Sequence, residues 1–486
     1  MTAPRSLSDF VRHHAAARPH DIALVGPGAD GPSTRLTWAQ LDAAISAAAA
    51  ALRARGYGDG ARVLLRLGTG VDLVLVYLGA LRAGLVAVAV NPAYTSAEVE
   101  FIRTDSGAAA ELDEHTAREL LAAAPAAEDP RADRTGEDVA VLLYTSGTSG
   151  RPKGAMLSAR ALLANLDQIA AVEPALVAAD DVVFVPLPLT HIYGMNAGLG
   201  NALRAGATTV LADRFDPDET LATMAAEHVS VVVGVPGQYA AWLRRQGFVS
   251  GFERVHFAMS GSATLAVGVV MGYRAAGIEL HDGYGLTEAA PVLTVGLDAA
   301  AGTVGRPLPG IELELRDSDG EVVEQGDPGR IHVRGANLFS GYWPDGRDGP
   351  GEDGWFATGD IGMIDDQDNL RLVGRSSDMV IVNGFNVYPA EVEAVLAAEK
   401  GVAEVAVIGV DDEKTGESVR AFVVPAVGAV LRPDELLASA ARSLARFKLP
   451  SAIEVVAELP HTVTGKIMKW QLQRNERSRE EPDERA

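Results

Sequence analysis

An α/β fold is predicted for this chain: a large N-terminal domain of α/β subdomains with a small β-rich subdomain, followed by a small α+β domain. Three observations carry the prediction. Apolar segments with the period of a strand alternate with segments of helical period through the first part of the chain. From Gly305 the texture changes to alternating residues broken by turn signals. After Gly374 a second series of strands and helices begins, and its roughly hundred residues are enough to fold alone. The expected division is residues 1–374, a hinge at 375–378, a C-terminal domain at 379–474 and a charged tail at 475–486.

The elements follow in order. Thr37 can cap a helix through Leu41 to Arg55, ahead of a strand at Arg62 to Leu67, a helix at Leu73 to Arg82 and a strand at Leu85 to Val90. Residues 108–136 are rich in Ala, Glu and Asp and read as a helix and a linker. Apolar runs at Val139 to Leu143, Val182 to Val185, Thr208 to Leu211 and Val229 to Val235 read as buried strands. Ile311 to Arg316 and Arg330 to Val333 flank a turn at Asp317 to Gly320. The last domain reads as a strand (Met379 to Val382), a helix (Ala390 to Ala398), strands at Val402 to Val410 and Val419 to Val424, a helix (Pro433 to Leu444) and a strand (Ala452 to Val456).

Composition narrows the class. With 486 residues the chain exceeds what one core usually covers, and its 48% hydrophobic and 22% charged residues are an ordinary globular balance. The most apolar stretch, Leu73 to Val90, is interrupted by Arg82, so no membrane span is expected, nor a secretory signal, and a cytoplasmic location follows. A net charge of −23 argues against nucleic acid and anionic lipid as partners. With no cysteine, the chain has no thiol nucleophile or thiolate metal site, and any thioester must form on a partner's sulfur.

The run YTSGTSGRPKG, Tyr144 to Gly154, is built to hold phosphates. Gly147, Gly150 and Gly154 let backbone N–H groups approach an anion; Thr145, Ser146, Thr148 and Ser149 add hydroxyl donors, and Lys153 adds a compact positive charge. It is not a Walker A loop, because Pro152 stands where that loop has its second glycine. The preceding strand and the helix-like segment from Leu157 predict a strand–loop–helix setting; the plain alternative is a flexible surface turn. DGYGLTEAAPV, Asp282 to Val292, offers Thr287 as a donor and Glu288 as a hard oxygen ligand for Mg²⁺, or only a helix start with acid in its first turn. In WFATGDIG, Asp360 can accept both hydroxyls of a ribose or close an Asx-turn, and Arg375 can reach the same sugar or a phosphate. PHTVTGKIMK places Lys466 after a glycine near the C-terminus.

In this order the four segments resemble the adenylate-forming superfamily of acyl-CoA synthetases, aryl-CoA ligases, luciferases and adenylation domains, over Leu36 to Lys469. The resemblance implies that Thr145, Ser146, Gly147, Thr148, Ser149 and Lys153 hold the β- and γ-phosphates of ATP, that Thr287 binds the α-phosphate and Glu288 the Mg²⁺, and that Asp360 and Arg375 hold the ribose. Ser262, Asp282, Gly283 and Tyr284 would frame the adenine, and Lys466 would bridge the substrate carboxylate and the α-phosphate. It further implies a mobile C-terminal lid domain that rotates about Ser377, a position where Asp or Lys is usual, to present Gly384, Phe385 and Lys448 to coenzyme A.

The carboxylate pocket implied by the same resemblance comprises His191, Val235, Ser260, Gly261, Gly283, Gly285 and Val292. No aspartate stands at Val235 to Gln238 to hold an amino-acid ammonium. Malonate-activating relatives use pocket arginines where this chain has His256 and Gly283, so a dicarboxylate would lack its counter-charge. An unsubstituted Gly283 leaves space for a tunnel holding an alkyl or aryl group, with His191 at its mouth. The expected activity is ATP-dependent ligation of an aryl or medium- to long-chain acid to coenzyme A. The alternatives are transfer to an acyl carrier protein or a non-thiol nucleophile, and a silent nucleotide-binding protein. Monomer and homodimer are both open.

Overall fold

Strands buried on both faces need helices to cover them, and the alternation in the first part of the chain supplies those helices. The computed structural model describes residues 4–28, 31–122, 136–146, 152–263, 265–376, 378–382, 385–412, 414–461 and 467–480. The chain folds as two compact units, Met1–Leu313 with Val333–Phe356, and Glu314–His332 with Ala357–Ala486.

In the first unit a nine-stranded sheet runs in the order Arg306–Pro307, Val292–Val295, Leu280–Gly285, Phe257–Ser260, Val231–Gly234, Val182–Val185, Thr208–Leu211, Ile22–Gly28 and Gly31–Thr37. The strands from Leu280–Gly285 to Ile22–Gly28 are parallel to their neighbours, and antiparallel strands close both sides. A ring cluster of Tyr239, Trp242, Phe248, Phe252 and Tyr273 covers one part of the sheet, with rings meeting mainly edge to face. Buried polar tips are satisfied there: Tyr239 donates to the Met259 carbonyl at 2.9 Å and Trp242 to Thr220 Oγ1 at 2.8 Å.

A second sheet of the same unit orders Ala110–Asp113, Arg62–Arg66, Val86–Ala89, Val139–Ser146 and Pro152–Ser158. Its first four strands are parallel and the last is antiparallel. The helix Trp38–Ala54 begins at a capping box of Thr37 and Gln40, and Val71–Arg82 and the strand Val86–Ala89 lie where the pattern placed them. The strand Ala110–Asp113 was not expected: its four residues are too short and too polar to announce themselves, and pairing with Arg62–Arg66 makes the strand.

The setting of the phosphate loop also differs. The residues after it form the strand Pro152–Ser158, and the helix starts only at Ala159, capped by Ser158. Pro152 and Gly154 oppose helix, while an edge strand tolerates a proline at its first position. The described residues on either side of the loop are thus paired antiparallel strands, and no helix begins directly after it.

A four-stranded sheet orders Ile311–Arg316, Gly329–Gly335, Phe356–Ile364 and Leu370–Arg375. In the second unit, Phe385–Val387, Val380–Val382, Gly416–Pro425 and Val402–Asp412 form a sheet that Ala452–Val455 extends. Val392 and Leu396 of the helix Pro389–Ala397 and Leu436 of Pro433–Ala440 pack on its apolar face with Val405, Val407 and Val423. The helix Lys469–Glu480 takes in the start of the charged stretch expected as a tail, and residues 481–486 of that stretch lie outside the described residues. Leu472 of this helix is buried, and buried Glu476 pairs with Arg420. Among the described residues no helix is long and apolar enough to cross a membrane.

Candidate active site

Ligands of open α/β sheets bind beyond the carboxyl ends of parallel strands. Gly234, Ser260 and Asp282 are register partners at that end of three neighbouring strands. Val235 follows the first of them; Ser260 is fully buried, and its Oγ has no hydrogen-bond partner among the described residues. An orphaned buried hydroxyl fits a polar ligand at the strand end. Gly261 lies beside Tyr193, whose ring would come within 3.1 Å of a Cβ there. Ser262 is exposed and takes a φ of 70°, turning the chain sharply out of the strand. His191 enters before the π-helical segment Tyr193–Gly200, and its Nδ1 accepts from the Tyr193 N–H at 3.2 Å, so the neutral ring carries its proton on Nε2.

Asp282 accepts from the Gly283 N–H at 3.0 Å, and burial pushes its carboxyl up to about 7. Tyr284 is buried, its N–H on Thr294 Oγ1. Gly285 packs against the Pro291 carbonyl, and Val292 is fixed by a reciprocal pair of bonds with the Asn165 amide. Thr287 to Ala289 form a single 3₁₀ turn that leaves Thr287 half-exposed and Glu288 buried.

Thr145 and Lys153 stand opposite each other in the phosphate hairpin, which puts their side chains on one face. Lys153 Nζ lies 2.9 Å from Asp348 Oδ2 and 4.9 Å from the centre of the Tyr342 ring. The Tyr342 hydroxyl donates to Glu288 Oε1 at 2.5 Å. The Lys153 ammonium and the buried Glu288 carboxylate are thus joined by one side chain. Glu288 fits Mg²⁺, which binds through one or two carboxylates together with phosphates and waters. Among the described residues no three His, Cys, Asp or Glu side chains are grouped to hold a metal by themselves. The backbone and side chains of Gly147, Thr148 and Ser149, and the Ser146 side chain, lie outside the described residues, as do Ser377, Gly384 and Lys466.

In the second unit, Asp360 and Arg375 are register partners on adjacent strands, with Nε 3.3 Å from Oδ1. Asp360 lies within a strand and not in an Asx-turn, and it is buried with a carboxylate held by a cation, a form able to accept two hydroxyls. Phe385 stacks on Phe447 with centroids 4.7 Å apart and stays half-exposed. Lys448, expected to meet a phosphate, is held by both oxygens of Glu391 at 2.6 Å.

Two expectations about the pocket are corrected. His256 is not a pocket residue: it stands just ahead of the strand Phe257–Ser260, at the end opposite Ser260, and bonds Asp181 at 2.8 Å. The space beside Gly283 is not open either. A Cβ there would overlap Met259 Cε and stand 2.9 Å from the Thr294 carbonyl, so the end of the Met259 side chain occupies that space. Sequence reasoning missed Met259, Tyr342 and Asp348. Met259 is one apolar residue in an apolar strand and carried no signal. GYWPDGRD, from Gly341 to Asp348, did carry one: two glycines around aromatic and acidic residues mark a tight turn near a site, and Gly341, Gly346 and Asp348 all take positive φ.

The model of the AMP-binding enzyme family matches residues 11–343, and that of the AMP-binding enzyme C-terminal domain matches residues 391–466. The feruloyl-CoA synthase of an Amycolatopsis species is 35% identical over 494 residues, covering 97% of this chain and 99% of that protein. The long-chain-fatty-acid–CoA ligase of Yersinia pestis is 33% identical over 485 residues, covering 87% and 86%. The crystal structure of ATP-bound MatB from Rhodopseudomonas palustris superposes with a TM-score of 0.91 at 32% identity, over 99% of this chain and 100% of that one.

Proposed function

The chain belongs to the AMP-binding enzyme family, and from that premise we propose that it is an AMP-forming acid–thiol ligase joining an aryl or medium- to long-chain acid to coenzyme A. The observation that carries this is the Lys153–Tyr342–Glu288 array, whose lysine belongs to the run YTSGTSGRPKG. In the first half-reaction the acid's carboxylate attacks the α-phosphorus of ATP, an acyl–phosphate bond forms, and pyrophosphate leaves. In the second, the thiol of coenzyme A attacks the acyl carbon, its proton is lost and AMP leaves.

Lys153 and Thr145 hold the leaving pyrophosphate, Thr287 donates to the α-phosphate, and Asp360 with Arg375 fixes the ribose. Mg²⁺ on Glu288 would neutralise charge that builds on the phosphoryl oxygens. Lys466 is assigned to the carboxylate and α-phosphate, Ser377 to a hinge within Arg375 to Asp378, and Gly384 with Phe385 to the thioester step. The relatives named for feruloyl and long-chain fatty acids support an aryl or alkyl acid. An acyl carrier protein is the alternative acceptor, and the cytoplasm the place of action.

ATP–pyrophosphate exchange with a panel of carboxylic acids tests the reading. Exchange with an aryl or alkyl acid and an acyl-CoA product is expected. Exchange without acyl-CoA would move the acceptor to a carrier thiol, and no exchange with any acid would leave a silent nucleotide-binding protein.

A further inference from the structure

The segment 339–348 is bound to both halves of the phosphate machinery in the first unit. Trp343 donates its N–H to the Gly154 carbonyl at 2.8 Å, Met156 to Gly341 at 3.1 Å and Ser340 to Met156 at 2.9 Å, so this segment lies along the outer strand of the hairpin like a further strand. From the same segment Phe339 donates its N–H to the Glu288 carbonyl at 2.8 Å, and the Tyr342 hydroxyl reaches the Glu288 carboxylate. The Tyr342 ring is wedged edge-on against Phe339, with centroids 5.0 Å apart, and presents a face to Lys153. Both functional groups of one tyrosine are therefore engaged. Its hydroxyl makes a short, charge-assisted bond that orients a buried carboxylate, and its π-face attracts an ammonium.

Building on the reading of this region as a MgATP site, we propose that Tyr342 is a positioning residue that sets the metal-binding carboxylate of Glu288 and the phosphate-binding ammonium of Lys153 at a fixed spacing. The hydroxyl orients the carboxylate so that an oxygen is directed to the metal carried by the nucleotide; the ring holds the lysine ammonium near its face when no phosphate is bound. Removing the hydroxyl should weaken what the metal contributes to nucleotide binding and leave the lysine in place. Removing the ring should also weaken what the lysine contributes.

Calorimetric titration of ATP into the full chain, with EDTA and with graded Mg²⁺, separates the two. For Tyr342→Phe, metal-free ATP affinity should stay within about twofold of wild type, while the gain in affinity on adding Mg²⁺ falls about tenfold. For Tyr342→Leu, metal-free affinity should fall a further three- to fivefold, roughly the effect of one exposed cation–π contact. In exchange kinetics, Tyr342→Phe should lower kcat and leave KM for the acid unchanged, with a melting temperature near wild type. A merely structural tyrosine would instead lower the melting temperature and reduce affinity equally with and without Mg²⁺, which would overturn the proposal. A wild-type Mg²⁺ gain in Tyr342→Phe would overturn the hydroxyl's role, and equal metal-free affinities in the two variants would overturn the ring's. A wild-type protein that takes up no ATP at all would overturn the reading of the site itself, and this proposal with it.

Discussion

Asp282 shows how one residue's surroundings set its chemistry. Its carboxyl would ionise at 3.8 in water, and burial raises it to about 7. Because the folded value lies above the unfolded one, the unfolded chain loses this proton first, and stability falls as pH rises from about 4 to about 7. The loss is at most ~4 kcal/mol over that window. Asp282→Asn should flatten that part of the melting-temperature profile. If Asp282 accepts from the adenine amino group, KM for ATP should rise as pH falls below about 7 in the wild type and stay level in the variant; steady-state kinetics across the range checks this. Met259 lies beside Gly283. Met259→Ala removes the side chain that occupies the space beside Gly283, and should raise kcat/KM for long straight-chain acids relative to short ones about tenfold. An unchanged preference across a graded acid series would remove Met259 from the pocket.

At the level of elements, the sequence showed which segments were strands better than which ones paired. The runs Val182–Val185 and Thr208–Leu211 are legible with their final bounds, because short segments rich in β-branched and other large apolar residues favour strand. The phosphate hairpin was legible only in part. Its inner strand and hydroxyl-rich run are legible in the residues; its outer strand is not, because the signals that decide it, Pro152 and the cap at Ser158, compete with a helical pattern that starts immediately after. Its hold on residues 340–343 depends on a turn that only glycine can make. Gly341 has φ +84°, and a Cβ there would overlap the Gly346 carbonyl oxygen. Gly341→Ala should therefore cost about 1–3 kcal/mol and lower pyrophosphate exchange by more than the drop in melting temperature explains; a variant with wild-type melting and exchange would contradict this. Ser158→Ala, which removes only the helix cap, should cost about 1 kcal/mol and leave exchange intact.

For the whole molecule, the two-step reaction assigns different work to the two units. Lys466→Ala should abolish adenylation and spare thioester formation from a supplied acyl-adenylate, as separate single-turnover assays would reveal; wild-type adenylation by that variant would refute the role given to Lys466. The α/β class, the family and the reaction could be read from residues alone, because they reside in short segments, YTSGTSGRPKG and DGYGLTE, whose residue types and local conformations are chemically specific. What those segments touch came only from the folded chain: Tyr342 on Glu288 across 54 positions, Met259 in the space left by Gly283, His256 away from the pocket on Asp181. Periodicity marks the face a side chain is on but does not tell which distant side chain meets it there. That is settled by sheet order and packing of the whole unit, so the reaction was legible in the residues and the contacts among its side chains only in the fold.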